Sequence, residues 1–320
     1  MTFRSRALAA LGSLSLSATL LAGPVAVPAA GATPPQPSIS AHLDSAALSY
    51  GERVVATGRI APVAVDRAVV LEQRSGDGAW ATLASGATSA NGRYRLTATA
   101  RRSGLMRVRL IATAVASDAA LAETIPAPAA VASPVQRLHV SAGVRIDAAR
   151  TTVRIGRRLE VRGHARPGRA GRLVLLQRRS GRHWVSIAHA HTRRHGAFAL
   201  QLRPRASFTA PLRVRTVATS TLGAGARGAG RAAVLRPTLA SWYGEGQSLA
   251  CGGYLTGSTM GVAHKSLPCG TLVTIRYRGR QVRVPVVDRG PYIGAREFDL
   301  APGVRNALGF DGVGTIWVAS

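Results

Sequence analysis

Val286-Val-Asp-Arg-Gly-Pro-Tyr292 ends a strand in the C-terminal quarter of this 320-residue chain. Before it, valines recur at every second position from Val282 to Val286, which is the period of a β-strand. Asp288 continues this parity, and Arg289-Gly-Pro291 then stops the strand. We therefore expect the Asp288 carboxyl group at the rim of an apolar face, where a partly desolvated acid suits general acid catalysis.

Short apolar runs and turn residues surround this segment. Val273, Ile275 and Tyr277 lie on one face of a preceding strand, and Arg278-Gly279 turns the chain. Pro302 to Leu308 predicts a short helix, because proline falls in its first turn and Gly309 follows its end. Further motifs punctuate the region: Ala240-Ser-Trp-Tyr-Gly244, Cys251-Gly-Gly253, Gly261-Val-Ala-His-Lys-Ser-Leu-Pro-Cys-Gly-Thr271, Phe298-Asp-Leu300 and Ala307-Leu-Gly309.

In this order and spacing, the motifs of residues 239–320 resemble the rare lipoprotein A (RlpA) family of double-psi β-barrels. The resemblance covers about a quarter of the chain and implies a six-stranded barrel, which we place at 238–320. It also implies cleavage of peptidoglycan glycan strands by lytic transglycosylation, in which one acid protonates the glycosidic oxygen and a 1,6-anhydro end forms. No cofactor or metal is implied.

The resemblance assigns roles by position. Asp288 matches the family's acidic residue, and His264 matches a histidine that orients the reacting group. Trp242, Tyr243 and Tyr292 are expected to stack on sugar rings, and Arg289 to hold an anionic group.

Each of these roles has a structural alternative. Asp288 could instead cap the turn that follows it, His264 could be a packed histidine, and the tyrosines could be rim packing. For Asp299 we favour a structural role. The family's enzymes also carry an acid upstream of the histidine, whereas residues 251–260 contain no carboxylate. A second hypothesis for the function is therefore an expansin-like barrel that binds wall polysaccharide without cleaving it.

The N-terminus reads as an export signal. Arg4 and Arg6 precede an uncharged apolar run, and Ala30-Gly-Ala32 offers small residues at a cleavage site. The run is too short for a spanning helix, so we expect no stable membrane span. Residues 1–32 are thus predicted to be a signal peptide cleaved near Ala32, and the mature protein to be secreted or associated with the cell wall.

Both cysteines of the chain, Cys251 and Cys269, lie in the C-terminal region. In an exported protein, an even pair predicts one disulfide. Two cysteines with few nearby histidines do not make a four-ligand metal site.

Two similar units precede the barrel. Gly51 to Gly58 recurs as Gly156 to Gly163, and Val69 to Gly76 recurs as Val174 to Gly181. Short strands with period two, separated by turn residues, fill each unit. The sequence therefore predicts a tandem pair of immunoglobulin-like β-sandwiches at 38–133 and 134–236, and an all-β chain overall. The Gly-Ala stretch 223–230 is interpreted as a linker.

Charge is concentrated in the second unit. The chain has 42 basic and 14 acidic residues, and 22 of the arginines lie within 134–237, together with two acids. Part of the arginine excess reflects codon bias, since Lys265 is the only lysine. Such a surface binds polyanions. Because export excludes nucleic acid as the partner, we expect anionic wall polymers there, and a monomeric protein.

Overall fold

The computed structural model describes residues 37–111, 131–244 and 246–320. The predicted signal peptide and Glu245 lie outside these residues. The described chain consists of short β-strands, one α-helix and one 3-10 turn at Arg194–Gly196, which confirms the predicted all-β class. No helix in the described residues is long and apolar enough to cross a membrane.

The first unit is a two-sheet sandwich. In one sheet, β4 lies between β7 and the short strands β1 and β2; the other has the order β3-β9-β8-β5-β6. One apolar core lies between the sheets, with Val54 of β4 and Leu71 of β5 fully buried in it. The strands are β1 Ser38–Ile39, β2 His42–Leu43, β3 Ala47–Ser49, β4 Arg53–Ala61, β5 Ala68–Arg74, β6 Ala81–Ala87, β7 Arg93–Thr99, β8 Gly104–Leu110 and β9 Gln136–Ser141.

The second unit repeats this plan. Its first sheet has the order β10-β12-β15, and its second runs β14-β13-β16-β17 with β11 beside β17. Val161 of β12 and Leu176 of β13 are buried in the core between the two sheets. The strands are β10 Gly143–Arg150, β11 Thr152–Arg154, β12 Leu159–Arg166, β13 Leu173–Ser180, β14 His183–His191, β15 Ala197–Leu202, β16 Phe208–Thr216 and β17 Ala226–Trp242.

The strand pairings of the two sandwiches correspond. The β3–β9 pair is parallel, as is β11–β17, and β4–β7 is antiparallel, as is β12–β15. Gly58 and Gly163 occupy equivalent positions where the neighbouring strand passes closely. A Cβ at Gly58 would lie 1.9 Å from the Ser40 carbonyl oxygen, and one at Gly163 would lie 2.1 Å from that of Arg145. Since β9 pairs with β8, the first sandwich continues past the predicted boundary at residue 133.

The C-terminal region is a closed barrel of six strands. The order is β17-β21-β18-β20-β19-β22, and β22 pairs back with β17. Its interior is apolar and includes Val262, Val286 and Phe298. Besides β17, the elements are β18 Val262–His264, β19 Leu272–Tyr277, β20 Arg280–Asp288, β21 Phe298–Leu300, helix α1 Pro302–Leu308 and β22 Gly314–Ala319.

Strand β17 belongs to both the second sandwich and the barrel. Residues 226–234 pair with β16, and residues 236–242 pair with β21 and β22 of the barrel. The interpretation of 223–230 as a linker is wrong for residues 226–230, which belong to strand β17, and residues 226–228 of this part pair with β16. A single continuous strand therefore joins the two domains.

Candidate functional site

A polar row crosses four neighbouring barrel strands. Ser241 of β17 pairs with Asp299 of β21, Asp299 pairs with Ala263 of β18, and Ala263 pairs with Asp288 of β20. Residues paired across strands project to the same side of a sheet. The two carboxylates thus flank the small side chain of Ala263, at one level of the barrel wall. We call Ser241, Asp299, Ala263 and Asp288 the carboxylate row.

A β-bulge brings Asp288 into this row. Val262 pairs with Val286, but its neighbour Ala263 pairs with Asp288, so β20 has one extra residue at this point. Val286 points into the core. The extra residue, Val287, breaks the alternation of the strand. The expectation that Asp288 shares the parity of Val286 is therefore wrong, and Asp288 lies level with Ala263 and Asp299.

The Asp288 carboxylate is held through one of its oxygens. Its Oδ1 accepts hydrogen bonds from the backbone N–H groups of Ala250 at 2.9 Å and Arg289 at 2.8 Å. Among the described residues, no donor contacts Oδ2. The carboxylate is fixed in orientation, and one oxygen is left for another molecule.

Tyr243 lies close to the carboxylate row. Its hydroxyl is buried and has no hydrogen-bond partner in the part of the chain that the structure describes. Burial raises the pKa of Tyr243, and the negative charges of Asp288 and Asp299 raise it further. The phenol therefore stays protonated, and it is available to donate a hydrogen bond to a group that enters the site.

His264 is directed away from Asp288. His264 as a whole residue is 8% exposed, and its ring centroid lies 4.7 Å from that of Phe298. Its Nδ1 accepts hydrogen bonds from the backbone N–H groups of Ser266 and Leu267 at 3.1 and 3.0 Å. Its Nε2 lies 3.5 Å from Oε1 of Glu297. No hydrogen bond joins Asp288 and His264 within the described residues, and the catalytic role expected for His264 stays a prediction.

Glu297 is the centre of a second polar group, which we call the Glu297 cluster. Arg236 and Thr238 of β17 donate hydrogen bonds to its carboxylate, and His264 completes the set. Burial alone would raise the pKa of Glu297, but the hydrogen bonds from Arg236 and Thr238 and the charge of Arg236 lower it to about 2. Sequence reasoning missed this residue, although it directly precedes the Phe298-Asp-Leu300 motif.

Arg289 braces the loops around the site. Its Nη1 donates to the backbone carbonyl of Leu267 at 2.9 Å and to that of His264 at 3.3 Å. Its Nη2 lies 3.2 Å from the sulfur of Cys269. The Cys251–Cys269 disulfide is confirmed, with 5.6 Å between the two Cα atoms. These contacts fix the segment that donates to Asp288, while the predicted role of Arg289 in holding an anion stays a prediction.

The aromatic residues differ in accessibility. Trp242 packs against the barrel core, and the guanidinium of Arg305 lies 4.0 Å from its ring centroid, so one face is covered. Tyr292 is 76% exposed and follows the row in sequence. Of the predicted aromatic platforms, Tyr292 is the most open to a sugar ring, and Tyr243 offers its hydroxyl.

The arrangement suits acid and base chemistry at one bond. Two carboxylates at one level of a barrel wall, beside a protonated phenol, can exchange a proton with a bound molecule and stabilise positive charge. A closed six-stranded barrel that contains the parallel pairs β17–β21 and β18–β20 defines the class as a double-psi β-barrel.

Comparison with known proteins agrees with this class. Residues 237–319 match the family described as lytic transglycolase. This region of the chain is similar to the RlpA-like double-psi β-barrel proteins.

The related proteins match over the barrel region. The chain is 38% identical over 85 residues to a probable endolytic peptidoglycan transglycosylase RlpA of Synechocystis. The aligned segment covers 24% of this chain and 26% of that protein. It is 42% identical over 81 residues to a protein of the same description from Aquifex aeolicus, 23% of this chain and 36% of that protein. The chain therefore matches well under half the length of each relative.

The chain also has weak similarity to solved structures. The Streptomyces papain inhibitor is 24% identical, covering 27% of this chain and 94% of its own length, with a TM-score of 0.23. The D0-D1 domain of intimin is 13% identical, covering 62% of this chain and 97% of its own, with a TM-score of 0.23. Scores this low add nothing to the assignment.

Proposed function

We propose that the protein is a secreted lytic transglycosylase that cleaves peptidoglycan glycan strands and leaves 1,6-anhydro ends. The observation that carries this proposal is the carboxylate row, in which Asp288 and Asp299 flank Ala263 beside the Tyr243 hydroxyl, which has no hydrogen-bond partner among the described residues. The names of the related RlpA proteins support the substrate class.

The proposed reaction begins with proton transfer from Asp288. Protonated Oδ2 donates its proton to the glycosidic oxygen, the bond from this oxygen to the anomeric carbon breaks, and the leaving sugar departs as an alcohol. The anomeric carbon becomes an oxocarbenium-like centre, which the negative charge of Asp299 stabilises. The 6-hydroxyl of the same sugar then attacks the anomeric carbon, and the Asp288 carboxylate takes the hydroxyl proton. One carboxyl group thus serves as acid and then as base, in contrast to hydrolases with two catalytic carboxylates.

Tyr243 and Tyr292 would contribute to binding. The Tyr243 phenol would donate a hydrogen bond to the sugar at the row, and the exposed Tyr292 ring would pack against a neighbouring sugar. His264 would act as a positioning residue for the loop around the site. Its backbone carbonyl accepts a hydrogen bond from Arg289, and its ring lies against Glu297.

A second candidate is a wall-binding barrel that does not cleave. The observation that favours it is the lack of a carboxylate in residues 251–260, where the family's enzymes carry an acid. In that case the carboxylate row would only hydrogen-bond to sugar hydroxyls.

A digest separates the two candidates. The purified protein and its Asp288→Asn variant would be incubated with intact and with peptide-stripped glycan strands, and the products read by mass spectrometry. We expect 1,6-anhydro ends from the native protein, and a rate lower by roughly 10²–10⁴-fold for the variant, because general acid catalysis is lost. Asp77→Asn, an exposed turn residue of the first sandwich, is the control with the same change in charge.

Each outcome of the digest is decisive. If the native protein produces no new ends but still sediments with the glycan, the wall-binding candidate stands and the enzyme is excluded. If Asp288→Asn cleaves as fast as the native protein, Asp288 is not the acid.

The location and the remaining partners are part of the same proposal. Export by the segment 1–32 would place the protein at the cell wall as a monomer. The arginines of the second sandwich would hold it to anionic wall polymers, in which case retention by walls falls steeply as salt screens the charges.

A further inference from the structure

A concave basic surface lies where the second sandwich meets the barrel. Its cavity has a volume of about 530 Å³. Five arginines of the second sandwich and one from β19 of the barrel line it. We call this cavity the junction groove, lined by Arg150, Arg154, Arg157, Arg158, Arg203 and Arg276.

The positive charge of the junction groove is not balanced within the protein. Of the described residues that line it, Glu160 alone carries a carboxylate. That carboxylate already accepts hydrogen bonds from Arg162 at 2.9 Å and Gln201 at 2.6 Å. None of the six groove arginines forms an ion pair anywhere in the described part of the chain. Mutual repulsion of these charges is relieved when an anion enters.

The backbone beside the junction groove is held by strand pairing at the edge of the second sandwich, and one side-chain contact reaches the barrel. Strand β11 pairs in parallel with β17, and the Ile155 N–H donates to the Leu235 carbonyl at 2.8 Å. The guanidinium of Arg154 lies 4.1 Å from the ring centroid of Trp317, a barrel residue. A ligand therefore meets Arg150, Arg154 and Arg276 on strands that are already in place, which lowers the entropy cost of binding.

From this arrangement we infer that the junction groove binds a phosphodiester-linked polymer with one negative charge per repeat. The planar guanidinium group forms paired hydrogen bonds to phosphate oxygens. Six arginines spread along a cavity of this size match successive charges of a chain better than one small ion. The inference rests on the proposed wall location, but no residue of the groove belongs to the carboxylate row.

A matched pair of triple variants tests this inference. Arg157→Gln/Arg158→Gln/Arg203→Gln removes three exposed charges from the groove. Arg182→Gln/Arg194→Gln/Arg231→Gln removes three exposed charges elsewhere on the second sandwich. Binding of the full-length protein to soluble poly(glycerol phosphate) would be measured at several salt concentrations. We expect roughly tenfold weaker binding for the groove variant and less than threefold for the control, because each exposed charge pair contributes modestly.

Competition and vesicle-binding measurements identify the class of ligand. Inorganic phosphate at the same phosphate concentration should compete at least tenfold less well than the polymer, and vesicles of anionic lipid should not bind more tightly than the polymer does. Equal losses in the two triple variants, full competition by free phosphate, or preferential binding to vesicles would each overturn the inference. Cleavage of purified glycan strands by the groove variant should equal that of the native protein, so failure of the enzyme proposal is detected separately.

Discussion

The barrel contains two groups of acidic residues that differ in how fully they are bonded. In the Glu297 cluster, the carboxylate is surrounded by Arg236, Thr238 and His264, and its pKa falls to about 2. In the carboxylate row, both hydrogen bonds that Asp288 accepts from described residues go to Oδ1. The Tyr243 hydroxyl near it has no partner among the described residues.

This difference separates structural from chemical roles. A partly buried carboxylate that is fully hydrogen-bonded has no lone pair left for a ligand, and its partners lose their own bonds if it is removed. A carboxylate with a free oxygen beside an unpaired donor can bond to an incoming molecule. We therefore propose that Glu297 stabilises the barrel and that Asp288 takes part in its chemistry.

The largest expected effect on stability comes from Glu297→Gln. Loss of the charge leaves Arg236 without its ionic partner, and we expect the free energy of unfolding to fall by about 2 kcal/mol, below the value for a fully buried pair because the Glu297 side chain is 27% exposed. Urea titration measures the change. Asp288→Asn is the comparison variant, for which we expect a change below about 0.5 kcal/mol, since an amide oxygen can still accept the two backbone N–H groups. Equal losses in the two variants would remove the distinction between the groups.

A smaller decrease in the free energy of unfolding is expected when the pH of the unmodified protein is lowered. The pKa of Glu297 is about 2 in the folded protein against an ordinary value of 4.5, so the folded state binds fewer protons between these values. The stabilisation is complete above pH 4.5 and is lost as the pH falls towards 2. Unfolding free energies measured at intervals between pH 6 and pH 2.5 would show this decline. The Glu297→Gln variant should show a shallower one, and parallel curves would contradict the assignment.

The smallest expected change in stability is that of Tyr243→Phe. Because the hydroxyl is buried without a described partner, its removal should leave the free energy of unfolding unchanged or raise it by less than about 1 kcal/mol. Cleavage of glycan strands should fall by about tenfold, in line with loss of one hydrogen bond to the substrate. Lost stability together with unchanged cleavage would show that the phenol belongs to the packing of the barrel.

The resemblance of residues 239–320 to a known family predicted the barrel, and local patterns predicted the disulfide and the order of the two sandwiches. Strand periodicity and turn residues act over a few positions, and the cysteine pair needs only the export context. Asp288 was predicted as a site residue, but the face of the strand from which its side chain projects was predicted wrongly. The reason is a bulge that adds one residue where β20 pairs with β18.

What could not be predicted depends on contacts between distant residues. Glu297 bonds to Arg236, which is 61 positions away in sequence, and the guanidinium of Arg289 contacts backbone carbonyls of another segment. The stretch 226–230 is rich in glycine and alanine, so it lacks the side-chain pattern of a strand. Pairing of residues 226–228 with β16 holds this part of the chain in a strand.

The 17 residues of β17 also determine how force passes through the molecule. An extended strand of this length spans about 56 Å at roughly 3.3 Å per residue. Its two halves are hydrogen-bonded to different domains. A pull on the second sandwich is therefore transmitted to the barrel along a strand that is hydrogen-bonded in both domains. If the second sandwich were anchored to a wall under tension, this shared strand would restrict rotation of the barrel relative to that sandwich.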